Sequence, residues 1–329
     1  MARWRPASAA VTPAGRRVVV TGAGGFVGQA ACAALLRAGH TVHALTRRPF
    51  EVRPATAGFT QAVVEDLASA RLDGLLAGAD AIVHLAARVH RVAERGTAGA
   101  DAYSRDVEIA TALAQAARRA GMRRFVFLSS IKALGDRTPH GPFERTTPAT
   151  PVDPYGRSKL AIEQQLEAFS AAGGLEIVVV RAPLVYGAAA GANFRELVRW
   201  VRRGVPLPLA AVSNRRSIVC IDNLSDFVVR CLGAVSGAFN LFHVADAQPV
   251  STPGLLRHVA AALERRPRLY PVRTELLQGF CRLLGREDLA VRLLMSLEFT
   301  TADSFAALSW RPPTDTGAGV ARAVRAMSW

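Results

Sequence analysis

The sequence predicts an α/β fold: a doubly wound parallel sheet followed by a smaller C-terminal substrate-binding lobe. Short β-branched runs alternate with Ala/Leu-rich helical stretches as far as Val180. A glycine cluster stands where the first run meets the first helix. After Val185 the alternation loosens, and Pro and Gly gather near Gly204-Val205-Pro206-Leu207-Pro208. Strands that alternate with helices are joined by crossovers, which produce a parallel sheet covered on both faces. Ligands of such sheets bind beyond the carboxyl ends of the strands.

Each element has a local reason. Arg17-Val18-Val19-Val20-Thr21 is a short apolar run that ends in turn residues, the pattern of a buried strand. Residues 25–38 are Ala/Leu-rich and stop at Gly39, so they read as a helix. Residues 41–45 form a second strand, and 61–64 a weaker third that ends at Glu65-Asp66-Leu67. Residues 81–86 form a fourth. A helix over 102–120 is stopped by Gly121. The fifth strand, 124–128, ends at Ser129-Ser130; a helix covers 155–172, and a sixth strand covers 176–180. The expected organisation is a flexible lead over 1–15, a cofactor-binding sheet domain over 16–185, and a lobe over 186–329 that returns some segments to the sheet.

Composition narrows the class. Half the residues are hydrophobic and 20% are charged, which is a globular balance. No apolar run reaches about 18 residues without a charge, so no membrane span is expected; the 175–192 stretch is broken by Arg181. The first fifteen residues lack an apolar signal core. Cys32, Cys220, Cys231 and Cys281 form no CxxC pair and no His–Cys cluster, so no disulfide framework and no metal site is expected. A reducing cytoplasm fits. The net charge is +15, yet it is spread over scattered arginines without a long basic tract, so no nucleic-acid partner is expected.

Two motifs carry chemistry. Gly22-Ala23-Gly24-Gly25-Phe26-Val27-Gly28 joins the first strand to the first helix. Gly22 permits a tight turn, Gly25 lets a pyrophosphate approach the backbone, and Gly28 lets helix and strand pack closely. The helix N-terminus, with Phe26 and Val27, offers free N–H groups to phosphates. The second strand ends in Thr46-Arg47-Arg48, with no acid for a ribose 2′-hydroxyl. Arginines suit a 2′-phosphate, so NADP(H) is the preferred cofactor and NAD(H) the alternative.

The second motif is Tyr155 and Lys159. The chain holds 4 Tyr, and only two of its 41 basic residues, Lys132 and Lys159, are lysine. One of each stands four apart, on one face of the predicted helix. A nearby ammonium favours the phenolate and lowers a tyrosine pKa from its usual value of about 10, which suits acid–base catalysis.

In order, the glycine turn, Asp66-Leu67, His84-Leu85-Ala86-Ala87, Ser129-Ser130 and Tyr155…Lys159 resemble the extended short-chain dehydrogenase/reductase family, the NAD-dependent epimerase/dehydratase group. The resemblance runs from about Arg17 to about Pro313 and implies a Rossmann-type sheet. It implies that Ser130, Tyr155 and Lys159 are catalytic, and that Tyr155 and Lys159 also meet the nicotinamide side of the cofactor. It implies cofactor contacts for Asp66, Leu67, Leu85, Ala86 and Ala87. Family dehydratases carry Asp-Glu after the catalytic hydroxyl; here Ile131-Lys132 stand there, so loss of water is not expected. Lys132 faces either an anionic group of the substrate or solvent. Asn193 and Arg216 match family contacts to a nucleotide sugar, and Arg292 is a candidate for its diphosphate. Asp106 replaces a frequent Asn. Arg88-Val89-His90, Ser-Ser-Ile-Lys and Asp153-Pro154-Tyr155-Gly156 look like a bacterial branch that processes UDP-N-acetylhexosamines for surface polysaccharide.

The expected reaction is therefore redox at C4 of a UDP-linked hexose. A 4-keto-sugar reductase is preferred, and a 4-epimerase is the alternative. A homodimer through the helices at 102–120 and 155–172 is expected. A dinucleotide-sensing protein on the same fold would lose the Tyr–Lys pair, which this chain retains, and a steroid-type ketone reductase does not need Asn193 and Arg216. If Arg47 and Arg48 read a 2′-phosphate, NADPH binds more tightly than NADH in a direct titration. Equal affinities would remove the arginine argument.

Overall fold

The computed structural model describes residues 15–52, 57–68, 70–86, 97–233 and 235–327. The lead before Gly15, Ala87 and the Arg88-Val89-His90 segment lie outside the described residues. The chain runs β1 (Arg17–Thr21), α1 (Phe26–Arg37), β2 (Thr41–Thr46), β3 (Phe59–Val63), α2 (Leu72–Leu76) and β4 (Ala81–His84). It continues through α3 (Thr97–Arg119), β5 (Arg124–Ser130), α4 (Pro154–Ala171), β6 (Glu176–Ala182), β7 (Leu184–Tyr186) and α5 (Ala192–Arg202). Then follow β8 (Ile218–Cys220), α6 (Ile221–Cys231), β9 (Phe239–His243), α7 (Thr252–Ala262), α8 (Thr274–Leu283), α9 (Glu287–Leu294), α10 (Ala302–Ala307) and α11 (Thr316–Arg325).

Seven strands form one sheet in the order β3-β2-β1-β4-β5-β6-β9. Every neighbouring pair is parallel. The order of strand addition reverses between β1 and β4, which opens a crevice at their carboxyl ends. The strands obey a period of two. Val18, Val20, Val83, Val126, Val178 and Val180 pack on one face with Cys32 and Leu35 of α1 and Phe227 of α6. Val19, Ile82, Phe125, Phe127, Ile177 and Val179 pack on the other with Leu113 of α3 and Ile162 and Leu166 of α4. Both faces are covered, which is why the strand cores read as unbroken apolar runs.

The strands differ from the sequence expectation at their ends. β5 and β6 each run two residues further, because Ser129 pairs with Arg181 and Ser130 with Ala182. Polar side chains there hide the strand signal but leave the backbone ladder intact. β9 supplies a seventh strand beside β6.

The lobe has its own core. β7 and β8 pair as a small parallel sheet, and Phe194, Val198, Leu256 and Val320 pack with Tyr186 around it. Asp246, just after β9, ties this core to the main sheet. Its Oδ1 accepts from Cys220 N (2.9 Å) and Asn223 Nδ2 (2.7 Å). Its Oδ2 accepts from the Tyr186 hydroxyl (2.7 Å) and Thr316 Oγ1 (3.2 Å). Burial drives the Asp246 carboxyl up, and the four donors oppose that shift. Asp246→Ala leaves these buried donors without an acceptor. It is expected to lower stability by about 2–4 kcal/mol in urea unfolding; a change within about 0.5 kcal/mol, as at an ordinary surface position, contradicts the tie.

Candidate active site

The β1–α1 turn is built for close approach. Gly22 has φ +69°, and a Cβ there would lie 2.6 Å from Ala86 N at the end of β4. A Cβ on Gly28 would lie 2.2 Å from Gly22 O. At Gly25 a Cβ would meet only Gly22 O, at 3.2 Å, so the space before it is open. No side chain caps α1, so the first-turn N–H groups of Phe26 and Val27 face that space. This cradle fits a dinucleotide pyrophosphate at a helix N-terminus. Leu85 N donates to Thr21 O (3.2 Å), which holds the β4 end beside the turn.

Two of the expected cofactor contacts have protein partners. The Asp66 carboxylate pairs with Arg105 of α3 and accepts from Ala68 N (3.1 Å). Leu67 packs against the core on the α3–α4 face. Arg47 and Arg48 are exposed beyond β2. Thr46 Oγ1 donates to Arg48 O (2.8 Å), and a Cβ on Gly24 would be 2.5 Å from that same hydroxyl oxygen.

Ser130, Tyr155 and Lys159 come together at the carboxyl end of β5. Asp153 caps α4 by accepting from Gly156 N (2.7 Å), and Pro154 follows in the first turn, so Tyr155 enters at a defined angle. Ser130 stands close enough to Tyr155 to hold its phenol down. Lys159 is buried, donates to Leu128 O (3.2 Å), and lies 4.6 Å from the Phe127 ring centre and 5.7 Å from that of Tyr155.

The electrostatics differ from the sequence expectation. Burial pushes the Tyr155 phenol up to about 12, aided by the Asp153 and Asp106 charges and opposed by Ser130. The expected lowering by Lys159 is therefore not the dominant effect: desolvation of the phenolate wins. Burial pushes Lys159 down to about 8, against Asp106 and Glu163, which raise it. Asp106 thus takes part in the site's charge balance, a role its sequence position did not reveal. Tyr103, also on α3, stands edge-on to Tyr155 with ring centres 6.2 Å apart; nothing in its sequence context marked it.

A buried ion pair lies one turn beyond Lys159. Arg181 Nη2 donates to Glu163 Oε2 (2.6 Å), and Arg181 Nε reaches both carboxylate oxygens at 3.1 Å. The Ser129 hydroxyl also donates to Glu163. The pair joins α4 to β5 and β6 directly behind the Ser130 end.

The lobe brings other expected residues together. Arg292 Nη1 on α9 donates to Asn193 Oδ1 on α5 (3.3 Å), and Arg292 also pairs with Asp288 (2.5 Å). Arg216 donates to Met295 O (2.9 Å) and Val291 O (3.3 Å) at the end of α9; burial lowers it to about 10. Lys132 is partly exposed. It pairs with Asp153, the cap of the Tyr155 helix. Among the described residues no cluster of His, Cys, Asp and Glu could hold a metal ion.

The Lys159 shift has a measurable sign. In the folded chain Lys159 loses its proton near 8, against 10.5 when unfolded. Between those values the unfolded state holds the extra proton, so this group makes stability rise with pH. Lys159→Met removes that contribution. Its stability relative to wild type should fall by about 2 kcal/mol between pH 7 and pH 10; a difference that stays flat over this range contradicts the shift.

Residues 18–241 match the family described as NAD dependent epimerase/dehydratase family. A UDP-glucose 4-epimerase of Vibrio cholerae is 33% identical over 303 residues, covering 91% of each chain. The N-acetyl-alpha-D-glucosaminyl-diphospho-ditrans,octacis-undecaprenol 4-epimerase of Escherichia coli O157:H7 is 25% identical over 214 residues, 64% of this chain and 63% of the relative. The solved structure of MoeE5 in complex with UDP-glucuronic acid and NAD shares the fold with a TM-score of 0.76 at 22% identity, covering 94% of this chain and 98% of MoeE5. With its glycine cradle, its Ser130–Tyr155–Lys159 group and a match over most of its sheet, the chain belongs to the NAD-dependent epimerase/dehydratase family of extended short-chain dehydrogenases/reductases.

Proposed function

We propose that the protein inverts C4 of a diphosphate-linked hexose, as a UDP-hexose or UDP-N-acetylhexosamine 4-epimerase. The grouping of Ser130, Tyr155 and Lys159 at the carboxyl end of β5, beside the glycine cradle, supports this reading most. When bound, a nicotinamide cofactor supplies reversible hydrogen transfer at the sugar carbon and, oxidised, a fixed positive charge. Ser130 and Tyr155 hold the 4-hydroxyl oxygen. Tyr155 takes its proton as C4 is oxidised and returns a proton as C4 is reduced from the other face. Lys159, whose charge Asp106 and Glu163 support against burial, is the cation nearest the Tyr155 ring and so placed to favour its phenolate. Asn193, Arg292 and Arg216 form the lobe side that meets the diphosphate and nucleotide. Ile131-Lys132 puts no acid beside Ser130, which supports chemistry at C4 without loss of water.

The exposed Arg47–Arg48 pair favours NADP(H) and, with it, a second reading as a 4-keto-sugar reductase that exchanges its cofactor. A homodimer in which α3 and α4 meet their two-fold copies fits the side-by-side packing of these helices. Incubation with UDP-N-acetylglucosamine, and separately with a UDP-4-keto-6-deoxy sugar plus NADPH, distinguishes the readings. Formation of the C4 isomer without net cofactor use supports the epimerase; stoichiometric loss of NADPH supports the reductase. Tyr155→Phe should lower turnover by about 10²–10⁴-fold while cofactor binding persists. Unchanged turnover of every nucleotide sugar would overturn both readings.

A further inference from the structure

We propose that α8 and the arginine-rich segment before it form a docking surface for an anionic lipid bilayer. Exposed large apolar side chains are not scattered over this protein. Among the described residues seven are exposed, and five lie between 270 and 284: Tyr270 (47%), Leu276 (64%), Phe280 (59%), Leu283 (83%) and Leu284 (57%). A contiguous apolar patch of this kind marks an interaction surface, whereas single exposed leucines do not.

Helical spacing makes the patch one stripe. Residues 276, 280, 283 and 284 recur at i, i+4, i+7 and i+8, so their side chains share one face of α8 and its C-cap. Leu277 and Cys281, on the adjoining face, pack against the lobe core. The helix is therefore seated on the protein by one face, and no residue of α8 is fully buried. Among the described residues nothing covers its outer stripe.

Charge selects the occupant. From Arg265 to Arg273 the chain carries Arg265, Arg266, Arg268 and Arg273, all exposed, and no acid. Arg265 Nη1 donates to Arg202 O (2.7 Å), which holds this segment against the end of α5. In the last turn of α8 Arg282 lies near Glu287 (3.5 Å), and beyond the helix Arg286 lies near Asp288 (3.9 Å); these exposed pairs are weak. An apolar helix face flanked by exposed arginines is the pattern of an interfacial helix on anionic lipid. A second copy fits less well, because a two-fold contact would bring the same four arginines against each other. No helix among the described residues is long and apolar enough to cross a membrane, so the association is peripheral. α8 packs on α9, which carries Arg292, so docking sets the diphosphate side of the lobe close to the lipid surface.

Sedimentation with vesicles tests this directly. The full chain should bind phosphatidylglycerol/phosphatidylethanolamine vesicles at least about tenfold more than pure phosphatidylcholine vesicles at low salt, with the difference lost at high salt. The double variant Leu276→Gln, Leu283→Gln should reduce binding by about tenfold or more. Arg265→Gln with Arg268→Gln should weaken binding and flatten its salt dependence. All four positions are exposed or at the surface turn, and both variants should keep wild-type thermal unfolding and wild-type turnover of soluble nucleotide sugar. Tyr155→Phe should bind vesicles as wild type does, so failure of docking and failure of the catalytic reading are separately visible. Equal binding to both vesicle types, no binding to either, or a concentration-dependent self-association abolished by the leucine variant would each overturn the proposal; the last assigns the stripe to a second copy.

Discussion

Helix α4 carries Tyr155 and Lys159, and the buried Glu163–Arg181 pair holds that helix to the sheet. Arg181 grips both carboxylate oxygens of Glu163 from β6, and Ser129 reaches the same carboxylate from β5. Both charged partners are almost fully buried. A pair of this kind adds little net stability over an apolar substitute, because taking two charges out of water offsets most of their attraction. Breaking it from one side is another matter, since it strands a charge in the core. What the pair contributes is a defined register. Lys159 lies one turn before Glu163, and Ser130 follows Ser129, so one contact sets the distance between the hydroxyl, the phenol and the ammonium.

The same burial decides the electrostatics. Tyr155 and Lys159 both lose solvation, and each is driven toward its neutral form. Asp106 and Glu163 oppose this for Lys159, while Asp106 and Asp153 reinforce it for Tyr155. The result is a phenol that keeps its proton and an ammonium near the edge of losing its own. A phenolate at this position needs a nearby positive charge to offset the solvation it has lost. Asp153 links two parts of this arrangement. It caps the helix that carries Tyr155, and it holds Lys132, the only other lysine, at the position where a dehydratase needs an acid.

The lobe is organised around helix ends. Arg216 donates to the final carbonyls of α9, and Arg292 on the same helix reaches Asn193 on α5. Opposite this, Asp246 gathers donors from β8, α6, β7 and α11. These contacts join segments separated by 23 to 99 residues, so the lobe is held by partners well apart in the chain. α8 is the exception. It gives one face to the lobe core and leaves the other open, consistent with an element that has a surface to meet.

Much of this was legible in the residues alone. The strand cores could be read because sheet burial on both faces demands continuous Val and Ile runs, as in Val18-Val19-Val20 and Ile177-Val178-Val179-Val180. Gly22 and Gly28 could be read because only a residue without a Cβ permits those approaches. Tyr155 and Lys159 could be read because helical spacing is local. What the sequence could not determine was anything set by partners distant in the chain. The two extra residues of β5 and β6, the return of β9, the Glu163–Arg181 pair, the capture of Asp66 by Arg105 and of Lys132 by Asp153, and the upward shift of Tyr155 all depend on which groups meet and how much water they lose. Local pattern reports the backbone's own preferences; charge balance and solvation belong to the packed whole, and only the tertiary structure decides them.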